Sequence, residues 1–454
     1  MSLQSPEPSP LKRHLGLLDL TMIVIGSSVG SGIFLTPSDV ARELASPVAI
    51  LAVWLLGGVM TLAGALTYAE LGGLFPRAGG VYIYLCEAYG DLVGFLYGWA
   101  NLFVITTGSI AALAVAFATY LGYFVPLSTW EIKGVAVAGL ALVTLVNLRG
   151  IGAGARMTNV FTTLKLAGIA LVVGVGIFGG PPKTTHFAAI ALPPQPARAF
   201  AAALVGVLWS YGGWQHATFT AAEAKHPRRD VPRALVLGAA AVTIVYLLMN
   251  VAYMFLLDPT HIAASKKLAA DAVSLRLGAV GGAVIAATIV LSTFGTAGIY
   301  TMTAPRMYYA MAKRGALLPI VGRVDARTSA PRAAVLLQST WGAVLILFWG
   351  TFENLISYVV ITEWIFFALA GASVFVFRRR LPEGTSEAPP RRGQDEEAER
   401  PARVPWYPLP PLFFVAVSVW FVVNAVASKP LQSLAGIGFL LVGVPVYLLR
   451  KRRA

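Results

Sequence analysis

Cysteine is almost missing from this chain: Cys86 is the only one in 454 residues. No disulfide can form within the chain, and no cysteine-cluster metal site can be built. Histidine is nearly as scarce, at five residues, and none falls in a zinc-type motif, so no metal and no cofactor are expected. There is no Gly-Lys dipeptide, hence no P-loop and no direct use of ATP. No nucleophile–base arrangement stands out, which speaks against an enzyme. Charge is thin as well. Only 12% of residues are charged, about half the share of a soluble domain.

What the chain has instead is apolar length. It is 57% hydrophobic, and runs of about twenty apolar residues recur along almost all of it. It is therefore expected to be an all-α membrane protein without a soluble domain. Twelve spans are predicted at 15–42, 47–75, 91–124, 130–148, 155–179, 199–223, 232–257, 278–311, 332–350, 354–378, 408–428 and 431–449. The polar start, Met1 to Pro10, lacks the pattern of a cleavable signal.

The net charge of +14 would suggest nucleic acid for a soluble protein. Here it reads as loop charge, and no nucleic-acid partner is expected. With the N-terminus inside, the inner loops and tails hold 26 Lys and Arg residues and the outer loops eight. That bias follows the positive-inside rule and places both termini in the cytoplasm. The charged, proline-rich stretch from Arg378 to Pro405 reads as a disordered cytoplasmic linker. The predicted organisation is thus a tail at 1–14, a ten-helix core at 15–378, a linker at 379–405, and an accessory helix pair with a basic tail at 406–454.

The first and sixth apolar segments are each interrupted by glycines. The first reads Ile25-Gly-Ser-Ser-Val-Gly-Ser-Gly-Ile-Phe34, and the sixth reads Trp209-Ser-Tyr-Gly-Gly-Trp214. A helix in lipid has strong reason to stay intact, and a break is tolerated where it lines a cavity. Two breaks five segments apart suit an inverted-repeat transporter with a site near the bilayer midplane. Gly30-Ser31-Gly32 lets the chain leave helical geometry. The half-helix that begins near Ile33 presents free N–H groups and a positive end, which attract a carboxylate. Carbonyls left free near Ser28, and others between Ser210 and Gly213, suit an ammonium. A zwitterionic amino acid satisfies both ends. The alternative is that these glycines only permit close helix packing. Trp209 reads as a gate over the ligand or as an interfacial or core tryptophan; Tyr211, Trp214 and Gln215 line the pocket or face neighbours.

Lys165 lies roughly 14 Å and 20 Å from the ends of its span, too deep to reach water easily, and intramembrane charge is usually functional. With no carboxylate between Glu131 and Glu223, its candidate partners are the free carbonyls at the first break, where its ammonium would stand in place of a sodium ion. The alternative is a lysine that staples two helices. Glu363, near the centre of segment ten, is a candidate coupling or pairing group. Asp19, Glu70 and Glu223 are expected to pair with basic loops, and Asn101, Asn159 and Asn250 to bond between helices.

Several stretches together resemble the amino acid–polyamine–organocation superfamily over residues 12–380: Gly30-Ser-Gly-Ile-Phe34, Tyr68-Ala-Glu-Leu-Gly-Gly-Leu-Phe-Pro-Arg-Ala-Gly-Gly80, Glu87-Ala-Tyr-Gly90, Tyr211-Gly-Gly-Trp214, Glu223-Ala-Lys-His-Pro-Arg-Arg-Asp-Val-Pro-Arg233, and Ser292-Thr-Phe-Gly295 followed by Arg306-Met-Tyr-Tyr-Ala-Met-Ala. Within it the chain is most similar to bacterial relatives of the L-type amino acid transporters, the light chains of heteromeric carriers. The resemblance implies a five-plus-five inverted repeat of the leucine-transporter kind with helices one and six broken. It implies substrate carboxylate at Ser31, Gly32 and Ile33, amine at carbonyls near Ser28, Trp209 and Gly212, a gate at Trp209, and Lys165 in place of sodium. The loop at 122–130 lacks the cysteine that ties animal relatives to a heavy subunit, so no disulfide-linked partner is expected, only a monomer or weak homo-oligomer.

The resulting expectation is a sodium-independent carrier of neutral L-amino acids in a bacterial inner membrane, working by exchange or facilitated flux. Apolar walls including Phe294 would accept uncharged side chains, and the lack of an evident carboxylate beside the breaks argues against arginine. The competing readings are a proton-coupled symporter using Lys165 or Glu363, and a non-transporting amino-acid sensor.

Overall fold

A computed structural model describes residues 11–180, 184–187, 194–348, 352–380, 402–428 and 430–451. Much of the predicted N-terminal tail, linker and basic C-terminal end, at 1–10, 381–401 and 452–454, lies outside the described residues. The described residues form helices joined by turns and loops, with no strand among them; one isolated bridge joins Leu15 to Ala224.

The chain opens with α1 (Leu17–Ser28), which the Asp19 carboxylate caps by accepting from the Gly16 amide at 2.9 Å. Three residues later α2 (Gly32–Leu44) begins. Then come α3 (Pro47–Leu74), a short α4 (Val81–Tyr89), and α5 (Asp91–Ala100), which passes through a π-helical turn at Asn101–Ile105 into α6 (Thr106–Leu121). Ser128 and Glu131 cap α7 (Thr129–Asn147) reciprocally, and α8 (Ile151–Phe178) follows. The sixth apolar segment is split into α9 (Pro196–Tyr211) and α10 (His216–Phe219). The remainder comprises α11 (Pro227–Leu256), α12 (Pro259–Ala264), α13 (Leu268–Thr303), α14 (Pro305–Lys313), α15 (Arg332–Phe348), α16 (Phe352–Arg380), α17 (Leu409–Ser428) and α18 (Pro430–Lys451).

Nine helices among the described residues are long and apolar enough to cross a membrane, and two further apolar helices are shorter. The predicted span at 199–223 is not among them, because its helix stops at Tyr211. Segment eight begins earlier than predicted, at Leu268; the predicted boundary at Gly278 falls instead on a kink, where φ is 62°. Helices α3, α11, α8 and α13 pack around α1, α2 and α9, and α6 packs against α13. The outer faces stay apolar and open: Leu145 on α7, Val160 on α8 and Ile244 on α11 are exposed. Helices apolar on both faces, in a fold whose inside carries buried Ser, Thr and Lys, suit a lipid solvent.

Two ion pairs, one buried and one partly buried, brace one end of the bundle. Arg306 grips Glu223 through two bonds of 2.7 and 3.0 Å, and Arg378 grips Glu70 through two of 2.7 and 2.6 Å. Asp19 departs from the expected pairing with basic loops: besides capping α1, it accepts from Asn159 at 2.8 Å. Asn159 thus bonds between helices. Asn101 and Asn250 instead bond carbonyls one turn back on their own chain, those of Tyr97 and Tyr246, because nearer backbone acceptors are within reach of a short side chain.

Candidate functional site

The two interruptions lie against each other. Gly30 donates to the Ser28 carbonyl at 2.9 Å, and α2 then restarts at Gly32. A Cβ on Gly32 would come within 2.6 Å of the Ser210 backbone, so only glycine allows α2 this close to α9. Thr36 and Ser210 share a hydroxyl–hydroxyl bond of 2.7 Å across the same contact. On the other side, the Ser27 hydroxyl sits 2.8 Å from the Gly213 carbonyl and 2.5 Å from the Ile23 carbonyl of its own helix, and can donate to either. The Tyr246 hydroxyl, from α11, sits 2.8 Å from the Ser28 carbonyl and 2.7 Å from the Ser210 carbonyl, and can donate to either.

Between the half-helices is a small cavity lined by Ser27, Ser28, Gly30, Ser31, Gly32, Ser109, Leu113, Trp209, Gly212, Thr296, Tyr300 and Glu363. About 20 Å³ of it is open to the centre of a water molecule, room for about one water. Its walls are polar and incompletely satisfied: the Ser28 and Ser31 hydroxyls are buried and make no hydrogen bond within the protein. The first amides of α2 face no intrahelical acceptor, as at every helix start. An anion near Gly32 would meet both those amides and the positive helix end.

Lys165 lies one layer behind this cavity, fully buried on α8. Its three N–H groups have four acceptors in reach: the carbonyls of Gly26 at 2.9 Å, Val29 at 2.6 Å and Ser292 at 3.2 Å, and the Thr296 hydroxyl at 2.7 Å. A set of backbone carbonyls and a threonine hydroxyl around one positive charge is a hard-cation cage with an ammonium at its centre. The Ser292 hydroxyl supports it from α13 with 3.1 Å contacts to the Val29 and Gly30 carbonyls.

The candidate residues separate into three groups. Ser28, Gly30, Ser31, Gly32, Trp209, Gly212 and Glu363 line the cavity, Trp209 being half-buried. Lys165, Gln215 and Ile33 stand behind it: Gln215 donates to Glu363 at 2.9 Å, and Ile33 is buried in α2. Tyr211 and Phe294 turn elsewhere. Tyr211 donates to the Trp54 carbonyl at 3.0 Å and packs on Tyr246. Phe294, expected in the pocket wall, does not line it but packs against Phe117 and Phe161. It lies two positions from both Ser292 and Thr296, so it points roughly 200° around α13 from them.

Two expectations about charge need correction. The Ser28 carbonyl is not free, since it already accepts from Gly30 and is in reach of Tyr246. The Ser27 carbonyl is less engaged, with the Tyr300 hydroxyl at 3.5 Å. And a carboxylate does stand beside the breaks: Glu363 shares the cavity with Gly212, its Oε2 being 3.8 Å from where a Cβ on that glycine would sit. Sequence reasoning also missed Tyr246, Ser109, Leu113, Thr296 and Tyr300. For three residues on α13 a signal existed: Ser292, Thr296 and Tyr300 recur every fourth position, a polar stripe on an otherwise apolar helix.

Among the described residues no cluster of His, Cys, Asp and Glu is placed to hold a metal ion. The profile of the family described as amino acid permease matches residues 15–444. The chain is 29% identical to the human b(0,+)-type amino acid transporter 1, over 99% of this chain and 90% of that one. It is 28% identical to the serine/threonine exchanger SteT of Bacillus subtilis (strain 168), over 99% of both chains, and 30% identical to the Asc-type amino acid transporter 1 of Mus musculus, over 97% of this chain and 81% of that one.

Proposed function

The chain belongs to the amino acid permease family of the amino acid–polyamine–organocation superfamily, and from that premise we propose that it exchanges neutral L-amino acids across a bacterial inner membrane without sodium. In this reading the substrate carboxylate is held by the Ser31 hydroxyl and the amides of Gly32 and Ile33 at the start of α2. The amine is held by carbonyls of the α1 and α9 ends near Ser28, Trp209 and Gly212. With the Ser28 carbonyl already engaged, the Ser27 carbonyl is the better acceptor on the α1 side. Trp209 closes over the ligand. The fold is a five-plus-five inverted repeat of twelve spans whose split segments one and six rock apart to admit substrate from either side.

The observation that carries the reading is the Lys165 ammonium in its cage of Gly26, Val29 and Ser292 carbonyls and the Thr296 hydroxyl. A cation position braced against the first interruption is already filled by a covalently attached charge. Sodium is then not needed to hold the two half-helices in register. The test is counterflow in proteoliposomes preloaded with unlabelled alanine. Labelled amino acid should accumulate transiently, and replacing sodium by choline on both sides should leave the rate unchanged. A rate that falls with sodium removal ends the sodium-independent reading.

Glu363 in the cavity favours one second reading, a proton-coupled symporter. Under an imposed pH gradient and no preload, a symporter accumulates substrate and loses the accumulation to a protonophore. An exchanger does neither.

A further inference from the structure

The four half-helix ends account for a zwitterion, yet the cavity contains one group that a zwitterion does not require. Glu363 reaches it from α16, outside the half-helices, and the lining also includes Ser109 and Leu113 of α6. The Ser109 hydroxyl donates to the Ile105 carbonyl at 2.7 Å, so what it offers the cavity is lone pairs. Glu363 Oε1 accepts from Gln215 Nε2 at 2.9 Å. The other end of that amide, Gln215 Oε1, is buried and makes no hydrogen bond within the protein. Among the described residues no cation pairs with Glu363, and the Lys165 ammonium is committed to its own carbonyl cage. Among the described residues Glu363 thus has one donor, the Gln215 amide, for its two carboxylate oxygens. Buried acceptors left unmatched are costly, and a ligand that supplies a donor removes the cost.

We propose that Glu363 is a specificity-determining residue, which selects amino acids whose side chain carries a hydrogen-bond donor, hydroxyl or ammonium, over hydrocarbon side chains of equal size. This rests on the transport reading above: a hydroxyl donor refines it within neutral amino acids, and an ammonium donor would extend it to cationic ones. A hydrocarbon side chain would bury the Glu363 and Ser109 oxygens against carbon. A hydroxyl or ammonium group would give them a partner while the backbone ends hold the rest of the molecule. Sites built around a hydrogen bond reject analogues that lack it far more strongly than apolar pockets reject an extra group.

The experiment is competition in the counterflow assay with isosteric pairs: threonine against valine for the hydroxyl, and 2,4-diaminobutyrate against norvaline for the ammonium. In the wild type at least one donor-bearing member should compete at least about tenfold better than its partner. Which pair shows the difference identifies the donor. In Glu363→Met that ratio should fall to about one. The readout is a ratio between substrates, so a general loss of activity does not mimic it, and the wild-type comparison stands even if the variant fails to fold. Valine and norvaline competing as well as their partners in a wild type that transports would overturn the assignment while leaving the transport reading intact. So would an unchanged ratio in the variant, which would mean that Glu363 meets the amine common to all substrates. No counterflow with any amino acid would overturn both.

Discussion

The Ser27 hydroxyl lies 2.8 Å from the Gly213 carbonyl, within reach to donate to it, so two interruptions 186 residues apart in the chain are in direct contact. Gly213 has a φ of 102°, and a Cβ there would lie 2.6 Å from the Ser27 carbonyl oxygen and 2.7 Å from the Tyr300 hydroxyl. Gly213→Ala therefore meets both a left-handed backbone and a collision with backbone. It should destabilise the fold by about 1–3 kcal/mol and lower the melting temperature in detergent. Gly152→Ala is the matched control: on α8 nothing lies within 4 Å of its Cβ, and the change should leave stability the same or raise it slightly. Equal melting temperatures for the two variants would refute the argument.

Lys165 is held by four acceptors and touches no carboxylate. Lys165→Met keeps much of the volume and removes the charge, leaving the Val29 and Gly26 carbonyls to the hydroxyls of Thr296 and Ser292 alone. A charge-assisted hydrogen bond is worth about 1.5–3 kcal/mol, so the arrangement around the first interruption should loosen and counterflow should drop at least about tenfold. Lys133 sits on the outside of α7, over the Trp130 ring and bonded to the Leu347 carbonyl. Lys133→Met should exchange at the wild-type rate. Similar rates in the two variants would remove Lys165 from the mechanism.

Tyr246 shows where sequence reading reaches its limit. The interruptions themselves were legible, because Gly30-Ser31-Gly32 and Gly212-Gly213 stand out within apolar runs and few other residue types tolerate what the backbone does there. Lys165 and Glu363 were legible as charges far from any loop. A tyrosine in the middle of α11 carries no such mark; it reads as one more core aromatic. Nothing local says that its hydroxyl reaches carbonyls 218 and 36 residues away. The misplacement of Phe294 has a similar origin. Its neighbours on α13 form the polar stripe toward α1, but a helix turns about 100° per residue, and two positions put the ring on the opposite face. Residue spacing along one helix was informative; which helix meets which was not.

Tyr246→Phe separates the hydroxyl from the ring. The ring packs edge-on against Trp54, 5.5 Å between centroids, and that contact survives. The lost hydroxyl leaves the Ser210 carbonyl without this donor and the Ser28 carbonyl with Gly30 alone. Loss of a buried partner costs about 1–3 kcal/mol. A fall in melting temperature is expected, together with slower counterflow, since the two interruptions lose their shared bridge. If Tyr246→Phe melted and transported like the wild type, the bridge would have no energetic role.

Arg306 and Glu223 are both essentially inaccessible to solvent, at 1% and 0% side-chain exposure. Such a pair is weak evidence for net stability, because desolvation offsets much of the attraction, but an orphaned member is expensive. Arg306→Met leaves the Glu223 carboxylate buried without its partner and should cost about 3–5 kcal/mol. The protein should then melt much earlier, or fail to accumulate in the membrane. Adding Glu223→Gln removes the orphaned charge, so the double variant should recover part of the loss. That recovery is the diagnostic feature, since a purely steric defect at Arg306 would persist in the double variant. Thermal melts of both single variants and the double variant, monitored by size-exclusion chromatography of the detergent-solubilised protein, provide the comparison. A double variant less stable than Arg306→Met alone would mean that Glu223 has another essential partner, and that the pair is not the unit bracing this end of the bundle.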